Sequence, residues 1–451
     1  MSRKPARERL HLDWPTLSVY LLGVFLGALD TNVIAPIFPL LERGFHITLG
    51  WTAWTVTAYT VSYAVATVLG GALGDRVGHR RLFEAGLVAF GVASVLAALS
   101  PTFGVFVVAR VIQGAGAGSV YPNAQAAGMR LFPANRRGTA LGLFGAVFGM
   151  AAIVGPVLGG AFGQYLGWPS VFWLNAPLAV LILWRSRRLP VERGTPRPLP
   201  DAVGGFAFSG FIASALLVLA AGGGARILFA LLAAASLTLF IVRERAAAQP
   251  FVDWRPLVRH SGAALMAGAA IIGLDMSAVV FVPTLAQRDL AVSVFVSGLA
   301  LLPAAFSGAV ASGVVGVMVD RLGGRRLIIF GLVAAMAGGI LLAWPHLTWT
   351  RFVVAMVVLG AATALTMGAP LNRLGIALYR DDQAGEALAL MAVFRSVGLA
   401  AGPVLLTAAA RVHGFTGMFG SVALASVIGA LLFVMVPEAG TARPAPDPNY
   451  G

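Results

Sequence analysis

The sequence predicts an all-α polytopic membrane protein with fourteen transmembrane helices, arranged as two six-helix bundles with an inserted two-helix hairpin. Three observations support this prediction. Of the 451 residues, 58% are hydrophobic and only 11% are charged, whereas a typical soluble domain carries about 25% charged residues. Apolar runs long enough to cross a bilayer recur along the whole chain. Several short motifs also occur twice, at an almost constant shift.

The repeated motifs indicate a duplicated architecture. The polar segment 71–82 reads GALGDRVGHRRL, and a second copy, VDRLGGRRL, lies at 319–327. The aspartates of the two copies are 245 residues apart, and three further pairs keep a shift of 245 to 247. These pairs are Leu29-Asp30 with Leu274-Asp275, Phe106–Arg110 with Phe352–Met356, and Gly155-Pro156 with Gly402-Pro403. The two halves are therefore parallel repeats, and a binding site is expected at their interface near mid-membrane.

Fourteen apolar runs define the predicted spans. They cover residues 15–39, 50–73, 82–100, 103–129, 139–163, 168–184, 202–221, 224–242, 261–286, 294–318, 327–345, 350–371, 386–409 and 415–437. The predicted domains are a cytoplasmic segment 1–14, a first bundle 15–184, linkers with the hairpin (about 202–242) over 185–260, a second bundle 261–437, and a tail 438–451. The tail is rich in proline and polar residues, so it is predicted to be a disordered cytoplasmic segment.

Arginine placement predicts the orientation. With the N-terminus inside, the cytoplasmic segments hold 25 of the 32 Lys and Arg residues and the other side holds five, as the positive-inside rule requires. We therefore expect a multi-pass protein of the bacterial inner (plasma) membrane with both termini cytoplasmic. The same rule accounts for the net charge of +14, so no nucleic-acid partner is expected. The charged start of the chain, Met1–Trp14, has no removable signal peptide pattern.

Composition also excludes several kinds of chemistry. The chain has no cysteine and six scattered histidines, without the spacing of a metal site or a nucleotide-binding glycine loop. We expect no metal, no cofactor and no enzymatic activity.

Four motifs resemble those of the major facilitator superfamily, specifically its fourteen-helix drug:proton antiporter branch (EmrB/QacA type). Leu29–Pro39 resembles the first-helix motif LDxTIVNVALP and departs from it at Asn32, Ala35 and Pro36. Segment 71–82 resembles the superfamily loop motif, with His79 where arginine is usual. Arg110-Val-Ile-Gln113-Gly114 resembles the fourth-helix motif, and residues 149–160 resemble the fifth-helix motif of exporters.

The resemblance implies proton-driven efflux of small lipophilic compounds, cationic ones included, by a monomer that alternates access between the two sides. A lipid or glycolipid flippase of the same fold is the alternative within transport. A non-transporting membrane receptor or scaffold is the alternative of another class.

Charged residues inside predicted spans are the candidate proton-coupling residues, because each costs about 2.5–3.5 kcal/mol on insertion scales. From the helical rise, Asp30 lies roughly 24 Å from the inner edge and Arg110 roughly 14 Å from the outer edge. We expect the two to interact, with a permanent structural ion pair as the alternative to proton coupling. Asp275 has Met356 in place of an arginine partner. It is expected to take a second proton or attract a cation, unless it pairs permanently with Arg395.

Three further sets of residues complete the candidate site. Expected cavity-lining residues, each of which could instead serve packing, are Asp30, Tyr59, Tyr63, Gln113, Tyr121, Asn123, Gln125, Asp275, Met276 and Arg395. The resemblance implies a conformational latch between the halves at Gly71, Asp75, Arg76, Gly78, Arg80, Arg81, Asp320, Arg321, Arg325 and Arg326, where the arginines also serve topology. Close helix packing and a bend are expected at Gly149, Gly155, Pro156, Gly159 and Gly160.

Overall fold

The computed structural model describes residues 13–133, 137–190, 201–220, 223–246, 260–377 and 384–438, and these are helical with no β-strand. The first half contains α1 (Trp14–Val33), α2 (Phe38–Phe45), α3 (Leu49–Thr52), α4 (Trp54–Val77), α5 (His79–Ala98), α6 (Phe103–Arg130), α7 (Arg137–Leu166), α8 (Pro169–Trp173) and α9 (Asn175–Ser186). Two helices follow, α10 (Ala202–Ala220) and α11 (Gly223–Ala246). The predicted segments 1–12 and 439–451 lie outside the described residues.

The second half contains α12 (His260–Ala278), α13 (Val282–Asp289), α14 (Val294–Leu299), α15 (Leu302–Leu322), α16 (Gly324–Ala343), α17 (Trp349–Thr366), α18 (Ala369–Ala377) and α19 (Ala384–Val434). The order and lengths of these helices follow those of the first half at the shift of about 245 residues seen in the motifs. A short 3₁₀ turn even follows the first long helix in both halves, at Ala35–Ile37 and at Val279–Phe281.

Eleven stretches of the described residues are long and apolar enough to cross a membrane, against fourteen predicted runs. Local breaks account for the difference. The predicted run 168–184 is divided into α8 and α9, where Pro177 has no N–H to donate to Trp173. Helix α10 has a shorter apolar stretch, Val203–Leu219. The runs 386–409 and 415–437 are joined in α19, which is kinked at His413 and Gly414.

The two ends of the bundle differ in how the halves meet. We call the end with residues 74–81 and 319–326, the two hinge loops, the hinge-loop end, and the other end the closed end. The largest buried cluster lies toward the closed end and combines residues of both halves, including the edge-to-face ring pair Phe38 and Phe281 with centroids 5.8 Å apart. Toward the hinge-loop end, α7 and α15 have glycines with no atom within 4 Å of an added Cβ, among them Gly145 and Gly313. The halves are therefore packed together at the closed end, whereas the surfaces around these glycines of α7 and α15 are open.

Helices α10 and α11 pack on each other, and α10 also packs between α4 of the first half and α19 of the second. At the start of α10, Asp201 accepts two hydrogen bonds from the Arg243 guanidinium, at 3.1 and 2.9 Å. These bonds lower the pKa of the Asp201 carboxyl. The contribution of the pair to stability is therefore present above the ordinary pKa of aspartate and is lost as the pH falls through the lowered value.

Candidate functional site

Asp30 is at the centre of the first half, and its side chain is completely buried. Arg110 Nη1 on α6 donates to Asp30 Oδ2 at 2.6 Å, and Asn175 Nδ2 on α9 donates to Asp30 Oδ1 at 2.7 Å. Both carboxylate oxygens are thus engaged, one of them by a charge. Charge-assisted hydrogen bonds of this kind are about twice as strong as neutral ones, so the cluster ties α1, α6 and α9 together.

The Arg110 guanidinium is satisfied on its other sides as well. Its Nε donates to the Thr55 carbonyl at 3.1 Å, and Nη1 also donates to Gln113 Oε1 at 2.9 Å. Its Cζ lies 4.4 Å from the centroid of the Tyr59 ring, a distance at which a cation is attracted to the ring face. Gln113 in turn donates to Ser94 Oγ on α5 at 2.7 Å. The network therefore reaches five helices of the first half.

The structure brings Asp30, Arg110, Gln113 and Tyr59 together, and it adds polar partners that sequence reasoning did not assign. Asn175 and Ser94 are polar residues within apolar runs, and this pattern is the only sequence feature that marks them as candidates. The feature is weak, because many such residues hydrogen-bond only to the backbone of their own helix. Thr55 contributes a backbone carbonyl, which no side-chain pattern reveals.

Asp275 has a different environment in the second half. Ser426 Oγ donates to Asp275 Oδ2 at 2.8 Å, whereas the buried Oδ1 has no hydrogen-bond partner among the described residues. Met356, at the position corresponding to Arg110, is fully buried. The described residues contain no ion pair between Asp275 and Arg395, so the permanent pairing weighed above is absent from this conformation.

Aromatic and polar side chains from both halves face the region between them. Tyr63 stacks on Tyr59 with centroids 6.1 Å apart, and Gln125 Nε2 donates to the Tyr121 hydroxyl at 3.2 Å. Arg395 on α19 lies within electrostatic range of both Tyr63 and Tyr121. All four side chains are half-buried, and their role as cavity lining stays a prediction.

Two of the predicted cavity residues lie elsewhere. Asn123 is fully buried and donates to the Gly70 carbonyl at 2.9 Å, while its Oδ1 lies 2.9 Å from His79 Nδ1. It therefore anchors the first hinge loop, because α4 and α5 meet there. Met276 packs in an apolar cluster with Val65 of the other half.

Several contacts of the first hinge loop lie within its own half. His79 Nε2 is 3.4 Å from Asp75 Oδ1, and Arg80 donates to the carbonyls of Leu189 and Arg187 beyond α9. Arg76 and Arg81 are exposed, and Gly78 has φ of 104°, which favours glycine. The loop thus braces α4, α5 and the end of α9.

The second hinge loop is held in the same way by its own half. Asp320 pairs with Arg373 at 3.1 Å, and Arg325 pairs with Glu438 at 3.5 Å, while Arg321 and Arg326 are exposed. A latch that joins the two loops stays a prediction for the conformation in which the closed end opens.

Glycines of α7 shape the closed end. Gly155 and Gly159 pack directly on Asn32 and Val33 of α1, and Pro156 contacts Gly298 of α14 through its carbonyl. Gly160 lies against the backbone of Val294. Gly149 differs from the prediction of close packing, since no atom lies within 4 Å of an added Cβ there. The close contacts are thus confined to the last turns of α7.

Polar bonds between the halves complete the closed end. Gln287 Nε2 donates to the Pro36 carbonyl at 2.9 Å, and Gln164 Oε1 accepts from the Phe295 amide at 2.8 Å. Arg288 forms an ion pair with Glu42 at the surface. Together with the contacts of Gly298 and Gly160 between the halves, these bonds must break before the closed end can open.

Replacing Gly298 with leucine is expected to disfavour the closed end. A side chain there collides with the Pro156 carbonyl, and such overpacking costs about 1–3 kcal/mol, which shifts a two-state equilibrium roughly 5- to 150-fold. The chain has no native cysteine, so a single cysteine introduced at Ser297 reports opening through its rate of maleimide labelling. The Gly313→Leu variant is the matched control, because that site is open. Equal labelling of both variants would contradict this account.

Glu42→Gln is expected to have a smaller effect in the same labelling assay. The Arg288 side chain is 46% exposed, and ion pairs at such positions contribute about 0–1 kcal/mol. We expect labelling to rise up to about fivefold at low ionic strength and the difference to shrink at high salt, because salt screens exposed charges. A larger effect that does not change with salt would show that the ion pair is shielded from solvent and contributes more than an exposed pair.

Two parallel helical halves joined at one end, with a buried ion pair inside the first half, define a membrane protein of the transporter class. The sequence model of the Major Facilitator Superfamily matches residues 20–403 and 263–449. The chain belongs to this superfamily and is an MFS transporter.

Individual relatives extend over most of the chain. The puromycin resistance protein of Streptomyces alboniger is 31% identical over 460 residues, covering 94% of this chain and 90% of that protein. The MFS-type transporter YfiU of Bacillus subtilis (strain 168) is 29% identical over 88% of this chain and 80% of its own length. The tetracenomycin C resistance and export protein of Streptomyces glaucescens is 29% identical over 75% and 64%.

A solved structure shows the same fold. The crystal structure of a POT family transporter in complex with 5-aminolevulinic acid superposes with a TM-score of 0.69 at 14% sequence identity, covering 93% of this chain and 95% of that one. At this identity the likeness concerns the fold alone. With eleven candidate spans and bacterial MFS relatives, the chain is a multi-pass membrane protein.

Proposed function

We propose that the protein is a proton-coupled secondary active exporter of lipophilic compounds. The observation that carries this proposal is Asp30, a carboxylate with no solvent exposure inside a membrane-spanning helix, held by Arg110. A buried acid of this kind is a functional-site candidate by default in a membrane protein. Each proton that crosses with the membrane potential supplies about 2.3 kcal/mol per 100 mV, so export needs no nucleotide.

The contacts of α1 suggest how protonation moves the halves. A neutral Asp30 loses the charge that holds Arg110, and the hydrogen bonds between α1, α6 and α9 weaken. The next turn of α1 carries Asn32 and Val33, which pack on the glycines of α7. Helix α7 in turn carries the contact between Pro156 and Gly298. Proton binding at Asp30 thereby acts on the closed end through one continuous packed path.

The orientation and the number of spans belong to the same proposal. The hinge-loop end is cytoplasmic by its arginines, so the structure corresponds to an inward-open state. Counting α8 with α9, α10, and the two parts of α19 on either side of the kink as spans gives the fourteen-helix branch, with α10 and α11 as the inserted hairpin. The protein acts as a monomer in the bacterial inner membrane, with both termini cytoplasmic.

The names of two relatives support export of lipophilic compounds. One is a puromycin resistance protein, and another is a tetracenomycin C resistance and export protein. Puromycin and tetracenomycin C are therefore the first substrates to test on this chain.

Reconstitution tests the proposal directly. The full chain in proteoliposomes should accumulate either compound against its gradient when a pH gradient is imposed, and should stop when a protonophore collapses that gradient. Uptake that ignores the pH gradient would reject proton coupling. Scrambling of a fluorescent phospholipid, with no movement of either compound, would favour the flippase instead.

A further inference from the structure

Arg395 is a cation in the middle of a predicted span, and it has no hydrogen-bond or ion-pair partner among the described residues. It lies on α19 between the halves and is half-buried. No hydrogen bond or ion pair to its guanidinium occurs in the described part of the chain, in contrast to the fully engaged Arg110. An isolated charge at this depth is costly, and such residues face a water-filled cavity or a functional partner.

The depth of Arg395 follows from a hydrogen bond between the halves. Thr57 Oγ1 on α4 donates to the Ala400 carbonyl on α19 at 2.8 Å, which fixes the two helices at one level. From that level toward the hinge-loop end, Tyr63 lies six residues along α4, about 9 Å, and Arg395 lies five residues along α19, about 7.5 Å. The guanidinium and the phenol ring therefore occupy the same layer of the cleft.

Helix α6 brings a second phenol to this layer. Gly118 contacts the Tyr63 carbonyl directly, and Tyr121 follows about one turn later. The Tyr121 ring stands edge-to-face on Phe148 of α7, with centroids 5.3 Å apart. Two hydroxyl groups, two aromatic rings and one unpaired guanidinium thus meet around the same space.

The acids at similar depth are engaged elsewhere. Asp30 is held by Arg110 and Asn175, and Asp275 accepts from Ser426 on the second part of α19. Among the described residues of α4, α6, α7, α12 and α19, no carboxylate forms an ion pair with Arg395. The guanidinium therefore places a positive charge that no carboxylate contacts beside aromatic surface, and its planar set of donors suits an oxyanion.

We infer that the cleft selects lipophilic anions: compounds with an aromatic body and one carboxylate, sulfonate or phosphate group, whose oxyanion binds Arg395 between Tyr63 and Tyr121. The assignment rests on the exporter proposal for this site and specifies its substrate class. It departs from the expectation of cationic substrates, because the charge that lies in the same layer as the two phenol rings is the positive guanidinium of Arg395.

Binding of two matched probes tests the inference without any gradient. The first is the anion 8-anilino-1-naphthalenesulfonate, and the second is N-phenyl-1-naphthylamine, the same skeleton without the sulfonate. Saturable binding to the full chain in lipid nanodiscs is measured after subtraction of empty nanodiscs. Arg395→Gln should weaken the sulfonate about tenfold to a hundredfold and leave the neutral probe within about twofold. Arg395→Lys should retain part of the affinity for the sulfonate, because lysine keeps the positive charge but lacks the planar set of guanidinium donors.

Arg411→Gln is the control, since Arg411 lies on the same helix and is exposed at the closed end. It should change neither probe. Unchanged sulfonate binding in Arg395→Gln, or equal weakening of both probes, would overturn the inference. So would a result in which Arg395→Gln and Asp275→Asn impair transport alike without changing sulfonate binding, since Arg395 would then be the counter-ion of Asp275 in the other state.

The two proposals can fail separately. Arg395-dependent sulfonate binding in a protein that shows no pH-driven transport would reject the exporter and keep the anion site. Proton-driven export of neutral compounds, with no preference for the sulfonate, would keep the exporter and reject the anion site.

Discussion

Asp30→Asn is expected to reduce pH-driven export to the level of empty liposomes while the protein still inserts and purifies as a folded species. The amide cannot bind and release a proton at physiological pH, so the coupling step is lost. Folding survives because Arg110 keeps the Thr55 carbonyl, the Gln113 amide oxygen and the Tyr59 ring face as partners. Accumulation of puromycin under an imposed pH gradient is the measurement.

The control for this variant is Asp289→Asn, the same chemical change at an exposed site of the closed end. It should retain transport close to that of the unmodified chain. Facilitated downhill movement of puromycin is a second readout, because a protein that has lost only its coupling can still exchange substrate. Normal uphill export by Asp30→Asn would show that the Asp30–Arg110 pair is structural and would move the proton site elsewhere, with Asp275 as the next candidate.

Arg110→Met is expected to be the most destabilising of the single changes considered. It removes the cation and leaves the Asp30 carboxylate buried with only Asn175 as a donor, and breaking a buried pair from one side costs about 3–5 kcal/mol. The second half already carries Met356 at this position, so the side chain fits the fold. Denaturant unfolding in detergent, followed by tryptophan fluorescence, measures the loss in free energy of unfolding.

The double variant Asp30→Asn with Arg110→Met separates charge from packing. If the cost of the single change comes from the unpaired carboxylate, the double variant should recover a large part of the lost stability, because neither charge then remains buried. An additive result, with the double variant less stable than the unmodified chain by the sum of the two single effects, would show that the methionine fails by shape. Neither outcome depends on a transport assay.

Much of the ion-pair site could be anticipated from residue spacing. The helical rise placed Asp30 and Arg110 in the same half of the bilayer, and the structure shows their side chains in contact at 2.6 Å. Asn175 could not be assigned in the same way. A polar residue at the break between α8 and α9 gives no indication of the helix it faces, because its partner is 145 residues away along the chain.

Asn123 and Gly149 show a second limit. Asn123 is a polar residue in a membrane span, so the sequence is compatible with cavity lining and with a hydrogen bond that links two helices. Its buried contact with His79 shows that it links helices. Gly149 fits the packing motif of its helix, yet no atom lies within 4 Å of a Cβ added there. The residue type limits the roles that each position can have, and the contacts with neighbouring helices determine which role it has.

The amino-acid sequence by itself determined that this chain enters a bilayer, that its two halves repeat one series of helices, and that four charged residues fall within apolar runs. Hydropathy, proline breaks and motif spacing are local properties, so they can be read along one dimension. Only the tertiary structure decided which of those charges are neutralised. An ion pair requires two side chains from distant helices to meet. This occurs for Asp30 and Arg110, whereas Arg395 forms no ion pair among the described residues.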